Sequence, residues 1–478
     1  MKTDSDKKHI AKSISLFGGL QGLSILSGLV RNKVVAILLG PAGMGLISLY
    51  NNIVTLLNNV SNLGISFSAV KHISELYEEG NREALLRYIT VVRGWTIISS
   101  LFGLACGVSL SPLFSYLLFN DLYHSIHISL LSLAVPFGIV SAVEMGILKG
   151  VRKIREMAYA SVAMVVVSLI VVLPMYYFLG MKGVMPSIVA MGFITMAAAT
   201  HFSFQEFPVF VSQKIRETTG IERFPWYMGK AENTVKIEVR GVIDEGKPMI
   251  KLGIAFVVGM CATSLTEVCL RTALLKIADI DTVGLYNAGY LIVVNYAGMV
   301  FSAIESDYFP RLSAVNKDAD RFNKVVNNQA FVSLLIISPG IIAFMFLMPW
   351  CLQLLFSERF LVITGMLQLA ALNLYLRSVT LPVAYLNLAK GESRAYLILE
   401  ISYDIFFLAS MLIGYSLMGL TGTGLAITFS AIFDFIIVVA WCSLKYGFRL
   451  EKKVIITLII NILIGLAVYL FVSGLVRI

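Results

Sequence analysis

The stretch Leu26–Gly45, LSGLVRNKVVAILLGPAGMG, is apolar enough to enter a bilayer, yet it carries Arg31 and Lys33 well inside. A charge at membrane depth is expensive and faces a bundle interior or a watery cavity. Two permanent cations therefore point to a helix bundle with a polar interior. The rest of the chain agrees. Of 478 residues, 58% are hydrophobic and 14% charged, with mean hydropathy +0.82. A soluble domain carries about 25% charged residues. Runs of roughly 20 apolar residues, the length a span needs, recur almost end to end. Barrel strands would alternate apolar and polar over about 10 residues, and these runs do not. The fold class is an all-α polytopic membrane protein.

Thirteen spans are predicted, near 14–39, 44–66, 88–110, 126–149, 158–180, 183–207, 250–275, 282–304, 327–349, 361–389, 395–417, 420–443 and 454–475. The polar start, MKTDSDKKHIAKS, precedes an apolar run without a clear small-residue cleavage site, so it reads as a retained first helix. The cysteines, Cys106, Cys261, Cys269, Cys351 and Cys442, are scattered, with no CxxC and no metal spacing. No disulfide framework is expected.

The basic residues fall on alternate loops. One side receives Lys2, Lys7, Lys8, Lys12, Lys71, Arg82, Arg87, Lys149, Arg152, Lys153, Arg155 and the basic segment 208–249. It also receives Arg311, Lys317, Arg321, Lys324, Lys390, Arg394, Lys445, Arg449, Lys452 and Lys453. The other side receives Lys182, Lys276, Arg359 and Arg477. Cytoplasmic loops carry the excess of Lys and Arg, which puts the N-terminus in the cytoplasm. The net charge of +9 is thereby topological. Its partners are membrane lipids of an anionic leaflet, and no nucleic acid is required.

The halves of the chain repeat. Arg31 matches Arg271, Lys71 matches Arg311, Lys149-Gly150 matches Lys390-Gly391, and SPLFSYLLF at Ser111 echoes MPWCLQLLF at Met348. Gly45-Leu46 likewise matches Gly284-Leu285. Six spans per half give both halves the same orientation, a parallel repeat of the kind whose interface holds substrate in transporters. The expected organisation is a first lobe at 1–208, a cytoplasmic linker at 209–249, a second lobe at 250–444 and an additional C-terminal helix at 445–478. Within the linker, TVKIEVRGVI at Thr234 alternates apolar and charged residues, as a short β-ribbon or an amphipathic surface segment would.

Four motifs carry a family likeness: GPAGMGLISLYNN, LGISFSAVKHISE, DTVGLYNAGYLI and FPRLS. With them the chain resembles the polysaccharide-transporter branch of the multidrug/oligosaccharidyl-lipid/polysaccharide exporter superfamily, with the nearest likeness to O-antigen flippases of the Wzx type. The resemblance covers roughly residues 10–445. It implies two six-helix lobes forming a V around a central cavity that opens alternately to each side. It also implies a lipid-linked oligosaccharide substrate on undecaprenyl pyrophosphate, and no ATP-binding motif. A polysaccharide polymerase and its chain-length machinery are the partners such a flippase would have in O-antigen or lipopolysaccharide assembly at the bacterial inner membrane.

Intramembrane polar residues supply candidate sites. Gln21, Ser24, Gly28 and Arg31 share a narrow arc of a helix, whereas Lys33 points about 160° away from Arg31 and has the option of snorkelling. Ser48, Asn51, Asn52, Thr55, Asn58, Asn59, Asn62 and Ser66 fall within about 120° at helical spacing. That face suits a cavity wall for sugar hydroxyls, because carboxamides donate and accept. Polar packing between helices is the other reading. Arg271 has Glu267 one turn before it, in the favourable i,i+4 order. Arg377 has Asp404 and Asp434 as candidate partners. Arg31, Arg271, Arg377 and Lys33 would compensate an anionic headgroup, since guanidinium groups bind phosphate oxygens in defined geometry. Glu144, Glu267, Asp404 and Asp434 are candidates for coupling to a proton or Na⁺, each equally fit for a salt bridge. No resident cofactor is expected.

Two rivals share the superfamily: a lipid II flippase, and a cation-coupled multidrug exporter, whose cavity would hold acids in excess. From another class comes a membrane glycosyltransferase or polymerase. It needs a convergent acid or base, and the loop acids Glu206, Glu217, Glu222 and Asp244 show no such spacing.

Overall fold

The computed structural model describes residues 26–207 and 239–475, and among these no strand occurs. The helices are α1 (26–38), α2 (Gly40–Ser61), α3 (Ile65–Glu78), α4 (Arg82–Phe119), α5 (Ser125–Leu131), α6 (Ala134–Gly150), α7 (Ile154–Leu179) and α8 (Val184–Glu206). They continue with α9 (Val239–Ile277), α10 (Ile280–Tyr290), α11 (Ala297–Val315), α12 (Ala319–Leu355), α13 (Thr364–Ala371), α14 (Asn373–Ala389), α15 (Ser393–Tyr446) and α16 (Lys452–Leu475).

Among the described residues, seven helical elements can cross a membrane by length and composition, or up to nine with the bent pairs α2–α3 and Glu358–Ala389 counted as spans. Two of the seven, Ile154–Glu206 and Arg394–Tyr446, are 53 residues long, far beyond the roughly 20 a crossing needs. Each folds back on itself. In α15 the reversal is at Gly419, where φ 60 and ψ −142 lie outside the range of other residues. Beyond it Phe406 stacks on Phe433 at 4.0 Å, and Ser410 and Ser430 meet at 2.9 Å. In the other element, Gly180–Gly183 forms the turn, and Ser187 donates back to Tyr176 at 3.1 Å.

The chain divides into two compact units. Unit 1 takes the described residues up to Leu39 and from Leu49 to Ser264; unit 2 takes Gly40–Ser48 and those from Leu265 on. The division between these units thus falls inside the continuous helix α9. Of the predicted linker at 209–249, residues 209–238 lie outside the described residues. The strand reading of TVKIEVRGVI does not hold from Val239, which is helical.

In unit 1, Ile65, Ile73, Ile89, Val143, Ile147 and Phe207 form a buried cluster. Unit 2 has two, around Leu334, Met345, Tyr375 and Val379 and around Tyr308, Phe322, Val326 and Leu386. Large apolar side chains such as Leu101, Ile170, Phe178, Ile336, Leu417 and Leu470 are exposed. Lipid is the solvent such a surface requires, because a soluble protein rarely presents it so broadly. The five cysteines are free.

Within unit 2, repeat-equivalent glycines meet. A Cβ on Gly284 would lie 1.8 Å from the Pro41 carbonyl oxygen, and one on Gly45 2.2 Å from that of Ile280. The start of α2 and helix α10 therefore touch backbone to backbone, as small residues permit in membranes. Gly284→Ala should destabilise the purified protein by about 1–3 kcal/mol through overpacking. Gly298→Ala, where a Cβ meets nothing within 4 Å, should leave the melting temperature unchanged in the same scan.

Candidate functional site

Unit 1 holds an open cavity of about 330 Å³ between α1, α2, α6, α7 and α8. Its polar lining is Ser27, Arg31, Asn51, Asn58, Ser168 and Thr195; Val54, Val172 and Ile188 supply apolar wall. Among the described residues, the Arg31 guanidinium makes one hydrogen bond, from Nη1 to the Met191 thioether at 3.1 Å. A thioether is a weak acceptor. Asn58 Oδ1 and Ser168 Oγ are buried without a partner. Each such orphan costs about 1–3 kcal/mol, so the cavity is furnished for something polar. Gly138 makes room for Asn58: a Cβ there would come within 2.8 Å of its amide.

The residues of the asparagine face of α2 have different surroundings. Asn51 and Asn58, two turns apart, line the cavity. Asn59 donates to Ser264 at 2.7 Å and Asn62 to Ser66 at 2.8 Å, which is packing between or along helices. Thr55 is exposed. Asn52 and Lys33 have partners of their own and do not line the cavity.

Arg271, in unit 2, is buried at 3% exposure and has its guanidinium fully engaged. Nε donates to Ser48 at 2.7 Å, Nη1 pairs with the Glu267 carboxylate, and Nη2 reaches Asn287 Oδ1 at 3.2 Å. Ser48 in turn donates to Asn287 at 2.9 Å. Tyr286 and Tyr290 present their ring faces at 5.4 and 5.3 Å, adding cation–π attraction. Arg31 and Arg271 match in sequence, but one is open-handed and the other is locked.

Arg377 lines a second polar pocket of unit 2, about 200 Å³, with Asn373, Thr380, Tyr396, Glu400, Tyr403 and Asp434. Its guanidinium lies 5.5 Å over the Phe301 ring. Asp434 feels the charges of Arg377 and Glu400, and Glu400 that of the buried Asp404. Two carboxylates and one guanidinium thus line this pocket among the described residues, with Asp404 near Glu400.

Glu144 is buried in unit 1 in a two-pronged ion pair. Arg93 donates from Nε and Nη2 to its two oxygens, both at 2.8 Å. Ser203 adds a third bond at 2.6 Å, and Arg93 Nη1 holds the Phe207 carbonyl at 2.7 Å. This joins α4, α6 and α8. Nearby Lys153, just before the element Ile154–Glu206, pairs with Glu206 at 2.7 Å, and that carboxylate holds its ammonium above the ordinary lysine range.

Sequence reasoning missed Arg93, Glu400, Ser168 and Thr195. Arg93 sits inside the predicted span 88–110, so the argument applied to Arg31 would have found it. Glu400 lies in the predicted span 395–417 and was equally visible. Ser168 and Thr195 are single hydroxyls in apolar runs and give no signal without their neighbours in space.

Comparison with known proteins fits these features. The chain is 20% identical over 387 residues to the lipid III flippase of Escherichia coli (strain K12), covering 80% of this chain and 85% of that protein. Among solved structures, a MATE family multidrug resistance transporter of the MOP superfamily, inward-facing, superposes with TM-score 0.71 at 13% identity, over 89% of this chain and 94% of that one. The lipid II flippase MurJ in an inward closed conformation gives 0.56 at 15% identity, over 96% and 98%. The transporter fold is therefore shared. The model of the polysaccharide biosynthesis protein family matches residues 10–316, more than half of the sequence, and the chain belongs to that family.

Proposed function

We propose that the chain is a flippase that carries an undecaprenyl-pyrophosphate-linked oligosaccharide, an O-antigen or capsule repeat unit, across the bacterial cytoplasmic membrane by ion-coupled alternating access. The observation that carries this reading is Arg31: a guanidinium on the first predicted span whose hydrogen-bond partner among the described residues is a thioether, in a cavity with hydroxyl and carboxamide groups unsatisfied by those residues. A pyrophosphate must cross a medium hostile to charge, and an uncommitted arginine offsets that cost. The likeness to the lipid III flippase supports the same substrate class. The lysine and arginine asymmetry of the loops supports a cytoplasmic N-terminus.

Coupling is assigned to the Arg377 pocket. Among the described lining residues, Asp434 and Glu400 outnumber the single cation Arg377, so uptake of a proton or Na⁺ restores balance. Glu144 and Glu267 are held in ion pairs and are not assigned to coupling. A cation-coupled drug exporter is the second reading, favoured by the same excess of acids.

The test is export of surface polysaccharide in cells lacking their own flippase. Wild type should restore export, and Asp434→Asn at matched membrane level should lower it at least about tenfold by removing a titrating carboxylate. Export that stays absent with wild type, together with efflux of cationic dyes, would select the drug exporter.

A further inference from the structure

We propose that the cavity around Arg31 in unit 1 is a subsite for one anionic sugar: an oxyanion binds the Arg31 guanidinium, and ring hydroxyl or amide groups donate to Asn58 Oδ1 and Ser168 Oγ. The inference rests on the flippase reading and names the part of the substrate that this cavity reads.

The unsatisfied groups define the ligand. Among the described residues Arg31 has one weak acceptor partner for its donors, so it calls for a negative oxygen. Asn58 Oδ1 is an acceptor only and is buried without a donor. A bare phosphate dianion offers acceptors, so it satisfies Arg31 and leaves Asn58 as it was. A drug cation is repelled by Arg31. A hydrocarbon chain satisfies neither group. A sugar that bears or adjoins an oxyanion satisfies both, and its hydroxyl also completes Ser168. Thr195 donates to the Gly192 carbonyl at 2.8 Å and keeps its lone pairs for a further hydroxyl. Val54, Val172 and Ile188 offer a surface for the C–H face of a pyranose ring.

Size limits the ligand to one residue. Small-molecule sites span roughly 300–1,000 Å³, and this one has about 330 Å³. That is room for a ring and its anionic group, not for a whole oligosaccharide. Gly28, one turn before Arg31 on the same face of α1, lines the cavity, and a Cβ added there meets nothing within 4 Å. A side chain at Gly28 would fill the sugar's volume without displacing protein.

The oxyanion has two possible sources, the phosphate of the lipid carrier or the carboxylate of an acidic sugar. The experiment separates them. Full-length protein in nanodiscs is titrated calorimetrically with farnesyl pyrophosphoryl N-acetylglucosamine, with farnesyl pyrophosphate and with methyl glucuronide. Ser168→Ala and Gly28→Leu are expected to weaken binding of a sugar-bearing probe about tenfold, the worth of a lost hydrogen-bonded fit. Farnesyl pyrophosphate binding should be unchanged in Ser168→Ala. Dependence seen with the pyrophosphoryl sugar assigns the oxyanion to the carrier phosphate; dependence seen with methyl glucuronide assigns it to a sugar carboxylate. Ser168→Ala removes one unpartnered hydroxyl, so its melting temperature should equal or exceed that of wild type, which excludes misfolding as the cause. If neither sugar-bearing probe responds to Ser168→Ala or Gly28→Leu, the subsite is wrong. Failure of the flippase reading looks different: methyl glucuronide binding that depends on Ser168 while wild type restores no polysaccharide export.

Discussion

Arg31→Gln should lower polysaccharide export by about 10- to 100-fold, the worth of charge-assisted hydrogen bonds to one anionic group. Membrane level and melting temperature should stay at wild-type values. The reason is the poverty of its surroundings. Arg31 holds only the Met191 sulfur among the described residues, so removing its charge strands no carboxylate. Arg31→Lys should fall between the two, because an ammonium keeps the charge and loses the planar fork. Export measured at matched protein levels decides the matter. Unimpaired export by Arg31→Gln would make this cation structural and return the substrate question to Asn51 and Asn58.

Arg271→Ala should do the opposite, acting on stability before transport. It leaves Glu267 half-buried without its partner and strips donors from Ser48 and Asn287. Breaking a buried pair from one side costs about 3–5 kcal/mol. The variant should reach the membrane in reduced amount and unfold at lower temperature. Arg271→Met combined with Glu267→Leu should recover much of the loss, since replacing both partners with apolar groups is often neutral. Thermal unfolding of the single and double variants measures this. A single variant as stable as wild type would show that the network around Arg271 is not what holds α2, α9 and α10 together.

These two arginines also mark the limit of what can be read from a linear chain. Their equivalence in the repeat was legible, as were the helical class, the apolar segments and the i,i+4 pairing of Glu267 with Arg271. Helical periodicity placed eight polar residues of 48–66 on one face. It could not show that Asn51 and Asn58 enter a cavity while Asn59 and Asn62 bond Ser264 and Ser66, because that depends on which neighbour approaches. Ser48 and Asn287 are 239 residues apart, and their bond follows from the repeat only once Gly45 and Gly284 are seen to touch. The helices run past the apolar runs, as in α4, because their polar ends continue the same backbone ladder outside the hydrocarbon. The division inside α9 had no signal, since no Gly or Pro falls at Ser264 or Leu265.

The two buried ion pairs differ in when they can form. Glu267 and Arg271 sit one turn apart on a single helix, so the pair closes as that helix winds and enters the bilayer already neutral. Arg93 and Glu144 are 51 residues apart. At about 5–20 residues per second, the ribosome delivers the carboxylate some 3–10 s after the guanidinium, and Ser203 later still. During that interval Arg93 must be sheltered by the insertion machinery or held at the interface. The charge of Arg93 on α4 is therefore neutralised only once α6 has been made.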